Sequence, residues 1–244
     1  LTDKQAASLP AEPQALVDAD AVIAVSSVIA GDLVARDPAL ARARIEVIPN
    51  PVDVRGLAQR PAGARPLGLP YALYVGKLAV NKGTDYLVPM LQASGLDWPL
   101  VVAGDGPDRA GLEAAAKRAG RDVRFLGWID RDQATTWLAH AGMLVFPSRG
   151  PESLSRVLIE ASALGVPIAA MHTGGTGDIV LDEVTGLLST DPEGLAADVR
   201  RLREDAGLRA RLGAAAAAHA MATFDAGAVV SRIEQLYTRV VAEH

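Results

Sequence analysis

From Tyr71 onward, short apolar runs recur at regular intervals, each followed by a segment with helical spacing, and few folds accommodate that alternation. The runs fall at 71–76, 99–104, 122–126, 142–146 and 166–170, with Leu100-Val101-Val102-Ala103 and Pro167-Ile168-Ala169-Ala170 as typical examples. A strand without polar residues at alternate positions is covered on both faces, which is the mark of a parallel sheet. The segments near 83–95, 107–119, 130–141, 153–165 and 175–182 read as helices. In the fourth of these, Leu154, Val157, Leu158, Ala161 and Leu164 keep a 3.6-residue rhythm. The alternation predicts an α/β fold with a doubly wound, Rossmann-like parallel sheet. After Gly186-Leu187-Leu188 only helices are expected, near 192–204, 207–223 and 226–242.

Upstream, residues 1–18 end in a helical turn, Gln14-Ala15-Leu16-Val17. A strand follows at Ala21–Val25, then a helix capped by Ser26-Ser27 that runs to about Ala35. A second strand at Ile45–Ile48 is halted by Pro49-Asn50-Pro51, and residues 51–70, rich in Pro, Gly and Arg, read as a linker. The expected organisation is a domain over 51–244 preceded by a piece, 1–50, too small to build its own core. The chain opens on Leu1 and not on Met, so more polypeptide is expected before it.

The net charge of −5 disfavours a broad nucleic-acid-binding face. Having no cysteine, the chain cannot form disulfides, use a thiolate or hold zinc through sulfur. No apolar run approaches the roughly 18 residues of a spanning helix, and no signal-peptide pattern opens the chain. The expectation is a soluble, cytoplasmic protein, with room for contact at the inner face of a membrane.

In open α/β sheets ligands bind at the carboxyl ends of strands, and three strand-to-helix junctions here are unusual. Lys77 and Lys82 flank the first, Gly76-Lys77-Leu78-Ala79-Val80-Asn81-Lys82-Gly83. A cation at a helix N-terminus is repelled by the macrodipole at a cost of about 0.3–1 kcal/mol, and an anion lodged there would reverse the penalty. At the second junction, Glu152 and Glu160 stand eight residues apart around a helix start that also carries Arg156. At about 1.5 Å per helical residue they are expected roughly 12 Å apart along the axis, too far to share a proton or a metal but suited to the two ends of an elongated ligand with an anionic middle. The third junction, His172-Thr173-Gly174-Gly175-Thr176-Gly177-Asp178, is either an anion-binding nest or a plain tight turn. Taken singly, each of these charges could equally be a solvated surface residue.

Their joint occurrence in order resembles the group-1 (family 4) type of retaining GT-B glycosyltransferase. Gly76-Lys77-Leu78-x-x-x-Lys82-Gly83 is similar to that family's G-R-L-x-x-x-K-G element, and Val102-Ala103-Gly104-Asp105-Gly106-Pro107 with Leu112-Glu113 to its V-x-G-D-G-P…L-E segment. Val123-x-Phe125-Leu126-Gly127, Pro147-Ser148, the Glu152-x7-Glu160 pair, Ala161-x-Ala163-x-Gly165-x-Pro167, Gly174-Gly175-x-x-Asp178 and Thr185-Gly186-Leu187-Leu188 continue the pattern. Ala19-Asp20-x-Val22-Ile23-x-Val25-Ser26 and Val47-Ile48-Pro49-Asn50-Pro51-Val52-Asp53 resemble the end of the family's first domain and its crossover. The resemblance covers about 19–225.

It implies the C-terminal half of a GT-B fold, with a remnant of the acceptor-side domain before it and a last helix that packs back on that domain. It implies sugar transfer from a nucleoside-diphosphate sugar, UDP- or GDP-linked, to a sugar, lipid or small-molecule acceptor, with retention of anomeric configuration and without a metal. By position, Gly76, Lys77 and Lys82 would hold the diphosphate, joined by the backbone N–H groups of Leu154, Ser155 and Arg156. Glu152 would bind hydroxyls of the transferred sugar, and Glu160 both ribose hydroxyls. The backbone at Gly127, Trp128 and Ile129 would face the base. Glu152, Lys82 and Lys77 would be the groups at the reacting bond, where a cationic pocket stabilises the leaving diphosphate.

Three positions depart from the family pattern. Lys77 replaces an Arg and so lacks a bidentate fork, Asp178 replaces a Glu, and Ser155 stands where Gly is common. The family's catalytic His belongs to the first domain, nearly all of which would lie upstream; of the four His here, His172 is the one that could line a cleft. Asp18-Ala19-Asp20 and Asp130-Arg131-Asp132 spell D-x-D, but the first precedes a strand and the second opens a helix as a capping box with Gln133. Gly104-Asp105-Gly106 lacks the third glycine of a dinucleotide fingerprint, because Arg109 stands there. The competing functions are a non-catalytic nucleotide-binding scaffold and a GT-B-like epimerase or phosphorylase.

Overall fold

A computed structural model describes residues 13–60 and 62–243. Of the expectations above, those on residues 1–12 and on His244 lie outside the described residues. The N-terminal piece comprises α1 (Pro13–Val17), β1 (Val22–Ala24), α2 (Ser27–Arg36), a 3-10 turn (Pro38–Arg42) and β2 (Ile45–Val47). β1 and β2 pair in parallel, Val22 opposite Ile45, as a sheet of their own. Ser26 caps α2 by accepting from the Ile29 N–H, as the sequence predicts.

The segment expected to be a linker contains a helix, α3 (Val54–Gln59), capped by Asp53. Six residues are too few to show a helical period, but Val54 and Leu57 are buried against the main sheet. Five expected strands follow with their helices: β3 (Ala72–Val75), α4 (Thr84–Ser94), β4 (Leu100–Ala103), α5 (Arg109–Ala119), β5 (Val123–Gly127), α6 (Arg131–Ala139), β6 (Met143–Phe146), α7 (Arg156–Ala163), β7 (Ile168–Met171) and α8 (Thr176–Ile179). β8 (Leu187–Ser189) then adds a sixth strand where none was expected, since three residues after a glycine leave no pattern to read.

The strand order is β5-β4-β3-β6-β7-β8, all parallel, the Rossmann arrangement that reverses direction between β3 and β6. Alternate residues of each strand feed two cores. Tyr74, Val102, Val145 and Ala169 face α4, α5 and α9, while Leu73, Val101, Leu144 and Ile168 face α3, α6, α7 and α10.

The chain closes with α9 (Pro192–Glu204), α10 (Ala206–Thr223) and α11 (Ala226–Ala242). Aspartates 191, 205 and 225 cap them in turn, each accepting a first-turn N–H, which is why one long Ala-rich helix does not form. α11 lies on the N-terminal piece: Val229 and Leu236 are buried with Ile48, Arg239 pairs with Glu46, and Arg44 with Glu243. No helix among the described residues is long and apolar enough to cross a membrane.

Candidate functional site

The reversal of strand order opens a crevice at the carboxyl ends of β3 and β6, where neighbouring crossovers run to opposite faces. Two cavities meet there. The first, about 340 Å³, is lined by Gly76, Lys77, Lys82, Ser155, Arg156 and Glu160 among others. The second, about 300 Å³, is lined by Gly76, Lys77, Gly104, Asp105, Trp128 and Ile129. Val75, Gly76 and Lys77 belong to both, so the end of β3 is their common wall. Burial, followed by the nearby Glu152 and Asp108 carboxylates, pushes the Tyr74 phenol above its ordinary pKa. It stays protonated and donates to the Lys77 carbonyl at 2.8 Å, fixing the turn that presents Lys77.

Lys82 ends a 3-10 turn, Val80–Lys82, and is followed by Gly83, whose φ of 69° starts α4. Gly83 is required here: a Cβ at this position would lie 1.9 Å from the Pro147 carbonyl oxygen. That approach lets the loop after β6 fold over the 3-10 turn, where the Asn81 carbonyl accepts from the Gly150 N–H. Arg149 pins the same loop by donating to Tyr86 and Asp85. The Tyr86 hydrogen bond raises its guanidinium pKa further.

The two acids sit differently from the expectation. α7 begins at Arg156, so Glu152 lies in the preceding loop and helical rise does not set its separation from Glu160. The chain is held non-helical through 152–155 because Gly175 N–H bonds the Glu152 carbonyl and Thr173 bonds the Gly150 carbonyl. The Glu152 carboxylate still reaches the crevice, accepting from Lys82 Nζ at 2.5 Å and Ser148 Oγ at 2.6 Å, with only 11% of its side chain exposed. Both contacts fall on Oε1, so Oε2 accepts from neither. Glu160, 13% exposed, has the same pattern: Arg156 (3.1 Å) and Arg131 (3.3 Å) both approach its Oε1.

Ser155 stands at the N-cap of α7 in extended conformation, yet its hydroxyl caps nothing. The first-turn N–H groups of a helix have no acceptor within it, so this end faces the first cavity with polar hydrogens unclaimed by the cap. Leu154 is partly buried against the core beneath. Gly127, Trp128 and Ile129 lie at the end of β5, where the Gly127 carbonyl accepts from Gly104 N–H and the Trp128 side chain is 80% exposed.

The glycine-rich third junction is a tight turn whose Gly175, Thr176 and Asp178 N–H groups are taken by protein carbonyls. Its Gly175 N–H is committed to Glu152, and a Cβ on Gly174 (φ 50°) would lie 2.2 Å from the Glu152 carbonyl oxygen. His172 is exposed there. Asp130-Arg131-Asp132 opens α6 as the expected capping box with Gln133. The sequence reading assigned no role to Ser148, Tyr74 or Arg131. The Pro147-Ser148 pair marked a position only, and the other two act through tertiary neighbours that no spacing reveals.

A model of the family described as Glycosyl transferases group 1 matches residues 69–205, which include every one of these crevice residues. The chain belongs to that family. As a group 1 glycosyltransferase chain it is 34% identical to a D-inositol 3-phosphate glycosyltransferase of Salinispora tropica, over 96% of this chain and 54% of the relative. It is 32% identical to a glycogen synthase of Mycobacterium tuberculosis, over 80% of this chain and 48% of that one. It thus spans about half the length of the curated relatives it matches. Among solved structures, Anabaena Alr3699/HepE in complex with UDP superposes with a TM-score of 0.79 at 23% identity, covering 91% of this chain and 64% of that one. Sucrose-phosphate synthase from Thermosynechococcus elongatus does so with 0.73 at 28% identity, covering 94% and 60%. The group 1 chain therefore has the Rossmann-like half of a GT-B fold, with its C-terminal helices.

Proposed function

We propose that this chain is the donor-binding half of a retaining glycosyltransferase, taking a nucleoside-diphosphate sugar and passing the sugar to an acceptor bound by polypeptide outside the chain. The observation that carries the reading is the gathering of Lys77, Lys82, Glu152, Glu160 and the uncapped start of α7 around two adjoining cavities at the point where strand order reverses. Relatives of known structure named as complexes with UDP and UDP-glucose favour the same ligand class.

In this reading the diphosphate lies against Lys77, Lys82 and the Ser155–Arg156 N–H groups, the ribose hydroxyls reach Glu160, and the base lies toward Trp128 and Ile129. The sugar lies beside Glu152. As the bond to the anomeric carbon breaks, charge grows on the leaving diphosphate, and fixed cations aimed at that position lower the barrier. Lys82 is held by Glu152 before the donor arrives, so its charge is already oriented. The two lysines and the helix end supply the positive charge that a metal would otherwise bring.

UDP, GDP and ADP are to be titrated against thermal unfolding, with and without EDTA. One nucleotide is expected to stabilise the chain by about 2.7 kcal/mol at one hundred times its dissociation constant, equally in EDTA. No stabilisation by any of the three would overturn the reading. A scaffold that retained only the fold has no use for two acids each keeping one oxygen unclaimed by the neighbouring cations, and that detail favours the enzyme.

A further inference from the structure

We propose that Asp178 is a positioning residue for Glu152, acting through the glycine turn between them, so that the donor-site acid is set by the seating of α2. This rests on the donor-site reading for its consequence, but the coupling itself is a property of the free chain.

The Asp178 carboxylate accepts from the Ser27 N–H and the Ser27 hydroxyl, both at 2.6 Å, one on each oxygen. Those donors stand at the first residue of α2, 151 positions away in sequence. The Asp178 N–H in turn bonds the Gly175 carbonyl, and the Gly175 N–H bonds the Glu152 carbonyl at 2.7 Å. Thr173 Oγ1 holds the Gly150 carbonyl from the same turn. Contact reinforces the polar route: a Cβ on Gly175 would meet Ser153 O at 2.3 Å and the Ser26 Cβ at 3.0 Å. The turn is therefore wedged between the cap of α2 on one side and the Glu152 backbone on the other. An isolated cap for α2 would need only the first of these contacts.

Glu152 is sensitive to such a shift because its carboxylate is placed by two short contacts, to Lys82 and Ser148. A backbone displacement at 152 would misdirect the acid and loosen its hold on Lys82, while Lys77 at the end of β3 and Glu160 within α7 keep their own supports. The consequence falls more heavily on the sugar, which meets Glu152 directly, than on the nucleotide, which keeps Lys77 and Glu160.

Amide hydrogen exchange on the free 244-residue chain tests the coupling. Asp178→Ala is expected to raise exchange about tenfold in residues 150–156 as well as in 27–36 and 172–179. Asp178→Asn and Ser27→Ala, each of which keeps one of the two contacts, should fall between, and they serve if the alanine variant does not fold. Faster exchange at 27–36 and 172–179 with 150–156 unchanged would reduce Asp178 to a cap and overturn the proposal. The second arm compares UDP with UDP-glucose, or the pair for whichever base binds. Asp178→Ala should lower the affinity for the nucleotide sugar about tenfold relative to that for the nucleotide. Equal losses on both ligands would count against it, whereas an unmodified chain that binds neither refutes the donor reading and leaves the exchange result to decide the coupling.

Discussion

Lys82 and Lys77 differ in what they do before a ligand arrives. Lys82 is tied to Glu152 at 2.5 Å, whereas Lys77 stands in the wall between two cavities with its backbone fixed by Tyr74. Removing Lys82 takes one charge-assisted contact from a bound diphosphate and leaves the nearly buried Glu152 with Ser148 alone. Hydrogen bonds to charged groups contribute about 1.5–3 kcal/mol, so Lys82→Ala is expected to weaken nucleoside-diphosphate binding about ten- to a hundredfold by calorimetry. Glu160→Ala should cost a similar factor against the nucleotide and almost nothing against inorganic pyrophosphate, which has no ribose. Unchanged nucleotide affinity in both variants would remove the assignment. The two lysines could be singled out because a cation at a strand-to-helix junction opposes the helix dipole without a ligand, and the two glutamates through their eight-residue spacing around a helix start. Ser148 and Arg131 could not, because a serine or an arginine beside a glutamate 4 or 29 residues away in sequence has no distinguishing spacing.

At the scale of elements, the loop after β6 is the part of the site that packing controls most directly. Gly83 and Gly95 both begin or end α4 in the left-handed region, at φ 69° and 65°. Around Gly95 nothing lies within 4 Å of an added Cβ, but at Gly83 the Pro147 carbonyl does. Gly95→Ala should therefore cost about 1 kcal/mol, the backbone penalty alone. Gly83→Ala should cost clearly more in urea unfolding and should also weaken nucleotide binding, since the 147–152 loop must move. Equal destabilisation by the two substitutions would mean that the close approach is relieved elsewhere. The strands and their order of succession could be read from apolar runs, since burial on both faces leaves a sequence mark. α3 and β8 could not, because six and three residues are too short to carry a period. The start of α7 lies three residues later than expected, because the contacts that keep 152–155 out of the helix come from the turn after β7.

For the molecule as a whole, α11 returns the chain to where it began. It is capped by Asp225, whose neighbourhood also pairs with Val52 at the start of the main domain, and it covers the N-terminal piece through Val229 and Leu236. Among the described residues β1 and β2 form a two-stranded sheet, which has little stability unless something packs against it. Leu236→Ala should cost about 2–5 kcal/mol and should raise amide exchange in β1 and β2 well before it disturbs β3 to β8. A uniform rise across both sheets would show that the two parts unfold as one. Within the main domain, the end of β3 from Val75 to Lys77 divides the crevice into two compartments of similar size. A molecule that fills both must straddle that partition with a flexible waist, and two separate halves of such a molecule would each find a room of their own. Joining the halves would then bind far more tightly than either, because the tether holds the second fragment at its door.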